Sequence, residues 1–255
     1  MATERQDTWL RSYHATRAGA ELICFPHAGG SAGYWHPLSA AASPALWVRA
    51  VQYPGRQDRY REPPVRDLHR LADLIAEALG GGPPPAGPRI LLGHSMGASL
   101  AHEVALRLAG TADRGPAALL VSGRRAPTRL PARAERLDTD AALLARVRSL
   151  GGTAPAVLDD PELLELILPA LRADYAALAA YVPTEGVPLT CPVVALTGDS
   201  DPQAPVEDVR AWRERTTGSF ELRVLPGSHF FIGDHLPAVA ELAAALSAAV
   251  PVSRR

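Results

Sequence analysis

Six short apolar runs limit what this chain can fold into. Of Glu21–Phe25, Trp47–Gln52, Arg89–Leu92, Ala117–Ser122, Pro192–Thr197 and Glu221–Leu225, most are continuous in Val, Ile, Leu and Ala rather than alternating polar and apolar. A strand with one wet face alternates, whereas a strand of a parallel sheet, covered on both faces, does not. Parallel strands need long crossovers, and helical patterns stand in the gaps. Asp67 can cap the segment Leu68–Leu79, in which Leu68, Leu71, Leu74, Ile75 and Leu79 share a face. Gly97–Leu108 follows a run directly, with Gly110 placed to close it, and Val206–Arg215 and Pro237–Ala249 complete the set. The alternation predicts an α/β protein: a mostly parallel, doubly wound sheet in one domain over residues 1–255.

Two stretches interrupt the pattern. Gly80–Pro88, GGGPPPAGP, cannot be regular structure and reads as a surface loop. Residues 124–188 carry helical patterns at Thr139–Leu150 and Pro161–Tyr181 but no strand-like run. A helical insertion between two sheet strands is expected to lie over the carboxyl edge of the sheet as a lid. The plainer alternative is two extra packing helices.

Composition excludes several classes. The formal net charge is −1 over 255 residues, so no strong field favours nucleic acid or a lipid surface. There is no Lys, and every basic side chain is Arg, which together with the abundant Ala reads as compositional bias rather than function. Cys24 and Cys191 sit in or beside apolar runs and are expected as buried, reduced thiols. The first residues are polar and lack a signal core, and no apolar run approaches the roughly 20 residues of a membrane span. A cytoplasmic protein is the default expectation. No HExxH or CxxC spacing supports a metal, and Gly80–Gly82 does not match a phosphate loop.

The strongest local signal is Gly93-His94-Ser95-Met96-Gly97. GxSxG alone is weak, but here an apolar run precedes it and a helical pattern follows, which is the strand–turn–helix elbow of an α/β-hydrolase fold. Ser95 would stand at a helix N-terminus, where the dipole favours developing negative charge. A serine hydroxyl needs a base, and the chain order in this fold is Ser, acid, His. Thr197-Gly-Asp-Ser-Asp-Pro202 offers Asp199 and Asp201 after one run, and Gly227-Ser-His229 follows the next. Asp201 is the favoured acid, because it lies further from the strand and because Gly198-x-x-Asp201 is a spacing that recurs in this fold; Asp199 is expected to cap or brace the loop. His229 would take the Ser95 proton and Asp201 would fix its tautomer. The expected oxyanion donors are the backbone N–H of Met96 and one from the loop Phe25-Pro-His-Ala-Gly-Gly30, Ala28 ahead of His27 or Gly29. His27 itself reads as a loop-shaping residue. A carboxylesterase or lipase, or a silent hydrolase-fold binding protein, would share much of this pattern.

Taken together, Phe25-Pro-His-Ala-Gly-Gly-Ser31, Gln52-Tyr-Pro-Gly-Arg-Gln-Asp-Arg59, Gly93-His-Ser-Met-Gly-Ala98, Leu171-Arg-Ala-Asp-Tyr175, Gly198-Asp-Ser-Asp-Pro202 and Gly227-Ser-His-Phe-Phe231 resemble the type II thioesterases. These are stand-alone editing enzymes of polyketide and nonribosomal peptide synthesis. The resemblance implies hydrolysis of acyl groups from the phosphopantetheine arm of an acyl or peptidyl carrier protein, by a monomer needing no cofactor. It places the triad at Ser95, Asp201 and His229 and the donors at Met96 and Ala28. Two departures bear on the acyl chamber: His102 stands where family members often carry an aromatic residue, and the segment after Leu-Arg-Ala-Asp is a plain Tyr-Ala-Ala-Leu-Ala-Ala-Tyr. Arg124, Arg125, Arg129, Arg133 and Arg136 are candidates to meet an acidic carrier surface, or simply a solvated charged segment.

Overall fold

The computed structural model describes residues 8–14, 19–81, 85–111, 114–131, 136–152, 155–186 and 188–249. Its seven strands are β1 (Leu10–Arg11), β2 (Glu21–Phe25), β3 (Trp47–Val51), β4 (Arg89–His94), β5 (Ala118–Ser122), β6 (Val193–Gly198) and β7 (Phe220–Leu225). They form one sheet in the order β1-β3-β2-β4-β5-β6-β7. Only β1 is antiparallel, pairing Leu10 with Val51. The order reverses between β2 and β4, which is where open α/β sheets place their crevice.

The continuous apolar runs are buried on both faces, as parallel strands must be. Ile23, Phe25, Leu91, Leu119, Val121 and Ala195 face one core layer. Their neighbours Leu22, Cys24, Leu92, Leu120, Val194 and Leu196 face the other. The first layer is closed by α2 (Leu68–Gly81) and α3 (Met96–Ala109), the second by α1 (His36–Ala42) and α8 (Leu236–Ala248). Asp67 accepts the Arg70 N–H at 2.8 Å and so caps α2. The sequence analysis finds neither β1 nor α1, because two residues and seven residues are too short to show a period. The alternating run β7 is an edge strand, and its Glu221 and Arg223 pair at 2.6 Å in solvent. Glu21, at the buried start of β2, is balanced by Arg49 (3.0 Å) and Arg89 (2.9 Å) on the flanking strands.

Between β5 and β6 the described residues hold α4 (Asp140–Leu150), α5 (Pro155–Leu158) and α6 (Pro161–Ala180), and no strand within 124–188. Thr139 caps α4 by accepting from Ala142 N, Gly151 ends it with φ 79°, and Asp160 caps α6. These helices share a small core of their own around Leu143, Val147, Leu158 and Leu171. The segment is tied down at its far end. Buried Glu103 of α3 accepts from Tyr181 Oη (2.8 Å), Thr184 Oγ1 (2.7 Å), Thr184 N (3.0 Å) and Arg107 Nη1 (2.8 Å). Burial alone would raise this carboxyl, but those hydrogen bonds hold it down at about 2. Residues 206–215, expected as one helix, divide into α7 (Val206–Arg210) and a 3-10 turn, Ala211–Arg215. The tighter turn buries Trp212, whose Nε1 donates to the Arg124 carbonyl at 2.8 Å.

Candidate active site

Strand β4 passes into α3 through Ser95, which adopts φ 55° and ψ −118°. A side-chain-bearing residue takes such a φ only when its surroundings impose it. Here they do. A Cβ on Gly93 would stand 2.0 Å from the Gly97 carbonyl oxygen, and one on Gly97 only 2.1 Å from that of Phe25. The elbow folds against itself and against the end of β2, and only glycine fits at either flank. Ser95 N donates to the Ser122 carbonyl at 2.8 Å, fixing the turn to β5.

Asp201 and His229 leave the carboxyl ends of the neighbouring strands β6 and β7. His229 Nε2 lies 3.0 Å from Ser95 Oγ, and its Nδ1 lies 2.9 Å from Asp201 Oδ2. The second Asp201 oxygen accepts from Gln203 N at 2.8 Å. A neutral imidazole that donates Nδ1–H to the carboxylate has Nε2 left to accept the serine proton. Asp199 stands apart from this row; it accepts from Gly227 N at 3.0 Å and braces the loop before His229.

Between β4 and β6 the row must cross β5, which ends at Gly123 with φ +58°. A Cβ there would lie 2.7 Å from His94 Cε1 and 3.5 Å from His229 Cε1. Any side chain at Gly123 would therefore press into the His94 ring, against which His229 packs with centroids 5.2 Å apart. The sequence analysis does not single it out, although a glycine directly after a buried strand is a usable signal.

The surroundings are dry and aromatic. His94 packs between His27, His229 and Phe230 and donates or accepts through Nδ1 with Ser122 Oγ at 3.0 Å. Burial, then His229 and His27 nearby, push its pKa well below the usual imidazole range. Burial likewise drives His27 to about 3, assisted by His229 and Arg56. His27 packs edge-on to Tyr34 and Phe230, and a Cβ on Gly30 would meet its ring at 2.9 Å. This neutral, wedged ring shapes the loop. Gly29 (φ +76°) donates its N–H to Asp174 Oδ2 at 2.7 Å, so that N–H is already engaged. Ala28 lines the cavity with Ser95 and His229, and Met96 opens α3, where the first-turn N–H groups lack intrahelical partners.

That cavity measures about 400 Å³. One wall is apolar and comes from the inserted segment, through Leu137, Leu150, Leu178 and Tyr175; Arg124, Arg125 and Arg146 also line it. Of the arginines expected to face a carrier, Arg125 pairs with Asp208 (3.1 Å), Arg129 with Glu214 (3.6 Å) and Arg136 with Asp138 (3.5 Å). Arg124 turns inward and donates to Ser99 Oγ at 2.9 Å, while Arg133 lies outside the described residues. Three of the five therefore have an acidic partner within the chain. His102 is buried edge-on to Trp212, with its pKa lowered to about 4, by burial first and Arg215 second. Cys24 is buried and Cys191 half-buried; neither is in a disulfide, and burial raises both thiols. Among the described residues no cluster of three metal-ligating side chains occurs, and no helix is long and apolar enough to cross a membrane.

Comparison with known proteins shows the family. The thioesterase domain family matches residues 20–246. The chain is 49% identical over 242 residues to a "Probable cadicidin biosynthesis thioesterase" of Streptomyces griseus, covering 93% of this chain and 66% of that protein, just under two thirds of its length. It is 44% identical over 230 residues to "Thioesterase PikA5" of Streptomyces venezuelae, covering 89% of this chain and 80% of the relative. Among solved structures it is similar to the type II thioesterase BorB from the borrelidin biosynthetic cluster, with TM-score 0.86, 43% identity, and 94% and 98% of the two chains covered. The RedJ thioesterase of the prodiginine pathway in Streptomyces coelicolor gives TM-score 0.81 at 37% identity, with 94% and 90% covered. The chain belongs to the thioesterase family and has the α/β-hydrolase fold of the type II thioesterases.

Proposed function

We propose that the chain hydrolyses acyl thioesters held on the phosphopantetheine arm of acyl or peptidyl carrier proteins, clearing aberrant acyl groups during polyketide or nonribosomal peptide synthesis. The observation that carries this reading is the row Ser95–His229–Asp201, with contacts of 3.0 and 2.9 Å, at the floor of a cavity walled by the inserted helices.

Ser95 Oγ attacks the thioester carbonyl as its proton passes to His229 Nε2, and Asp201 stabilises the resulting imidazolium. The oxyanion is met by the N–H groups of Met96 and Ala28. The C–S bond then breaks. A pantetheine thiol, with a pKa of about 8.5, departs with little acid assistance, taking the proton from His229. Water, deprotonated by the same imidazole, attacks the acyl-serine ester; the proton returns to Ser95 Oγ, and free acid and holo carrier protein leave. Residues 124–188 act as the lid of this chamber, and the carrier docks at its mouth. Every group invoked comes from one chain, so a monomer suffices. The two free cysteines suit the reducing cytoplasm.

The test is a hydrolysis panel of carrier proteins bearing acetyl, propionyl, malonyl, longer and aminoacyl thioesters, set against matched oxyesters. Preference for carrier-bound thioesters supports the reading. Equal turnover of simple oxyesters would assign a general esterase instead.

A further inference from the structure

Two segments far apart in the sequence, Gln52-Tyr-Pro-Gly-Arg56 and Leu171-Arg-Ala-Asp174, meet in the fold. Arg56 and Asp174 form a buried, two-pronged ion pair, Nη1 to Oδ2 and Nη2 to Oδ1, each 2.8 Å. Neither partner is spent on the other alone. Asp174 Oδ2 also accepts the Gly29 N–H at 2.7 Å, and Arg56 Nη1 also donates to the Gly30 carbonyl at 3.0 Å. One salt bridge thus takes up the backbone of two consecutive residues in the loop after β2. The rest of the first segment holds the loop on either side: Tyr53 Oη donates to the Pro26 carbonyl (3.0 Å), and Gln52 Oε1 accepts from Ala32 N (2.8 Å). Helix α6 presses from above, since a Cβ on Gly29 would stand 2.4 Å from Leu171 Cδ2. Ala28 lies between these fixed points, and its peptide link to Gly29 is the one Asp174 grips.

A buried ion pair is seldom the most stable filling for its site, because a well-packed apolar pair does as well or better. Its use here is geometric. We propose that Asp174, backed by Arg56, is a positioning residue for the oxyanion donor at Ala28; the inference rests on the triad reading above. Because Asp174 belongs to the inserted helix, the donor is set only while α6 is seated on the sheet.

Two double variants separate position from stability. Arg56→Met with Asp174→Asn removes the charges but keeps an oxygen for the Gly29 N–H. Arg56→Met with Asp174→Leu removes the charges and the acceptor. Both are compared with wild type by circular dichroism, and by kcat and KM on an acyl-carrier substrate, alongside Ser95→Ala. The expected result is two folded proteins, of which only the Leu variant loses about 10²-fold in kcat with KM little changed, the scale of a lost oxyanion donor. Equal kcat in the two double variants overturns the inference while leaving the triad intact. Substantial turnover by Ser95→Ala overturns the triad, and the inference with it.

Discussion

Acidification should unfold this protein by a route that its buried histidines define. His27, His94 and His102 are buried, and burial is the leading cause that depresses each pKa: to about 3 for His27, about 4 for His102, and well below the usual value for His94. Their ordinary value is 6.5. In the unfolded chain each imidazole takes a proton as the pH falls through that value, whereas in the folded chain it does not until far lower. The unfolded state therefore binds more protons, and stability is fully present above the ordinary value and lost as the pH falls below it. At about pH 5.5 each such group costs RT ln(1 + 10), about 1.4 kcal/mol, and the three together about 4 kcal/mol. That is a large share of the roughly 5–15 kcal/mol that holds a typical domain together. Urea titrations at about pH 7.5 and 5.5 should show that loss as a lower midpoint with an unchanged slope. His102→Phe, which fills the same space against Trp212 without a titrating group, should remove about one third of the pH dependence. An unchanged pH dependence in that variant would refute the argument.

Further outcomes follow from the site. Ser95→Ala should reduce kcat at least about 10³-fold on any carrier-bound thioester, with the fold unaltered by circular dichroism. Asp201→Asn should cost about 10³- to 10⁴-fold by freeing the His229 tautomer, whereas Asp199→Asn, which touches only the Gly227 N–H, should cost less than about tenfold; steady-state kinetics on the two variants checks the assignment of the acid. Gly123→Ala puts a methyl group into the His94 ring, in a left-handed backbone position, and should lower kcat by about 10²-fold as the displaced His94 shifts the His229 imidazole packed on it. Reaction with a fluorophosphonate should slow in parallel.

Much of this architecture is written locally. The apolar runs at β2, β4 and β6, the caps Asp67 and Thr139, and the Gly-x-Ser-x-Gly elbow each depend on neighbours in the chain, so period and spacing reveal them. What stays hidden depends on distance. Arg56 and Asp174 are 118 residues apart, and nothing in either segment says that the acid will accept from Gly29. Glu21 looks like the polar end of an apolar run until β3 and β4 bring Arg49 and Arg89 beside it. Arg125 and Arg129, candidates to meet a carrier, look unpaired in sequence because Asp208 and Glu214 lie far along the chain.

Gly123 shows most plainly why the site takes the form it does. Asp201 and His229 come from adjacent strands, but Ser95 stands at the end of β4, and β5 separates it from them. In a parallel sheet the strand ends lie side by side at about 4.8 Å, so the imidazole must pass over the end of β5 to reach Ser95 Oγ. A side chain at Gly123, just after that end, would press into the His94 ring on which the imidazole packs. The Ser95–His229–Asp201 row therefore leans on three glycines without chemistry of their own: Gly93 and Gly97, which let the elbow close on itself and on β2, and Gly123, which leaves room for the His94 ring that packs on His229.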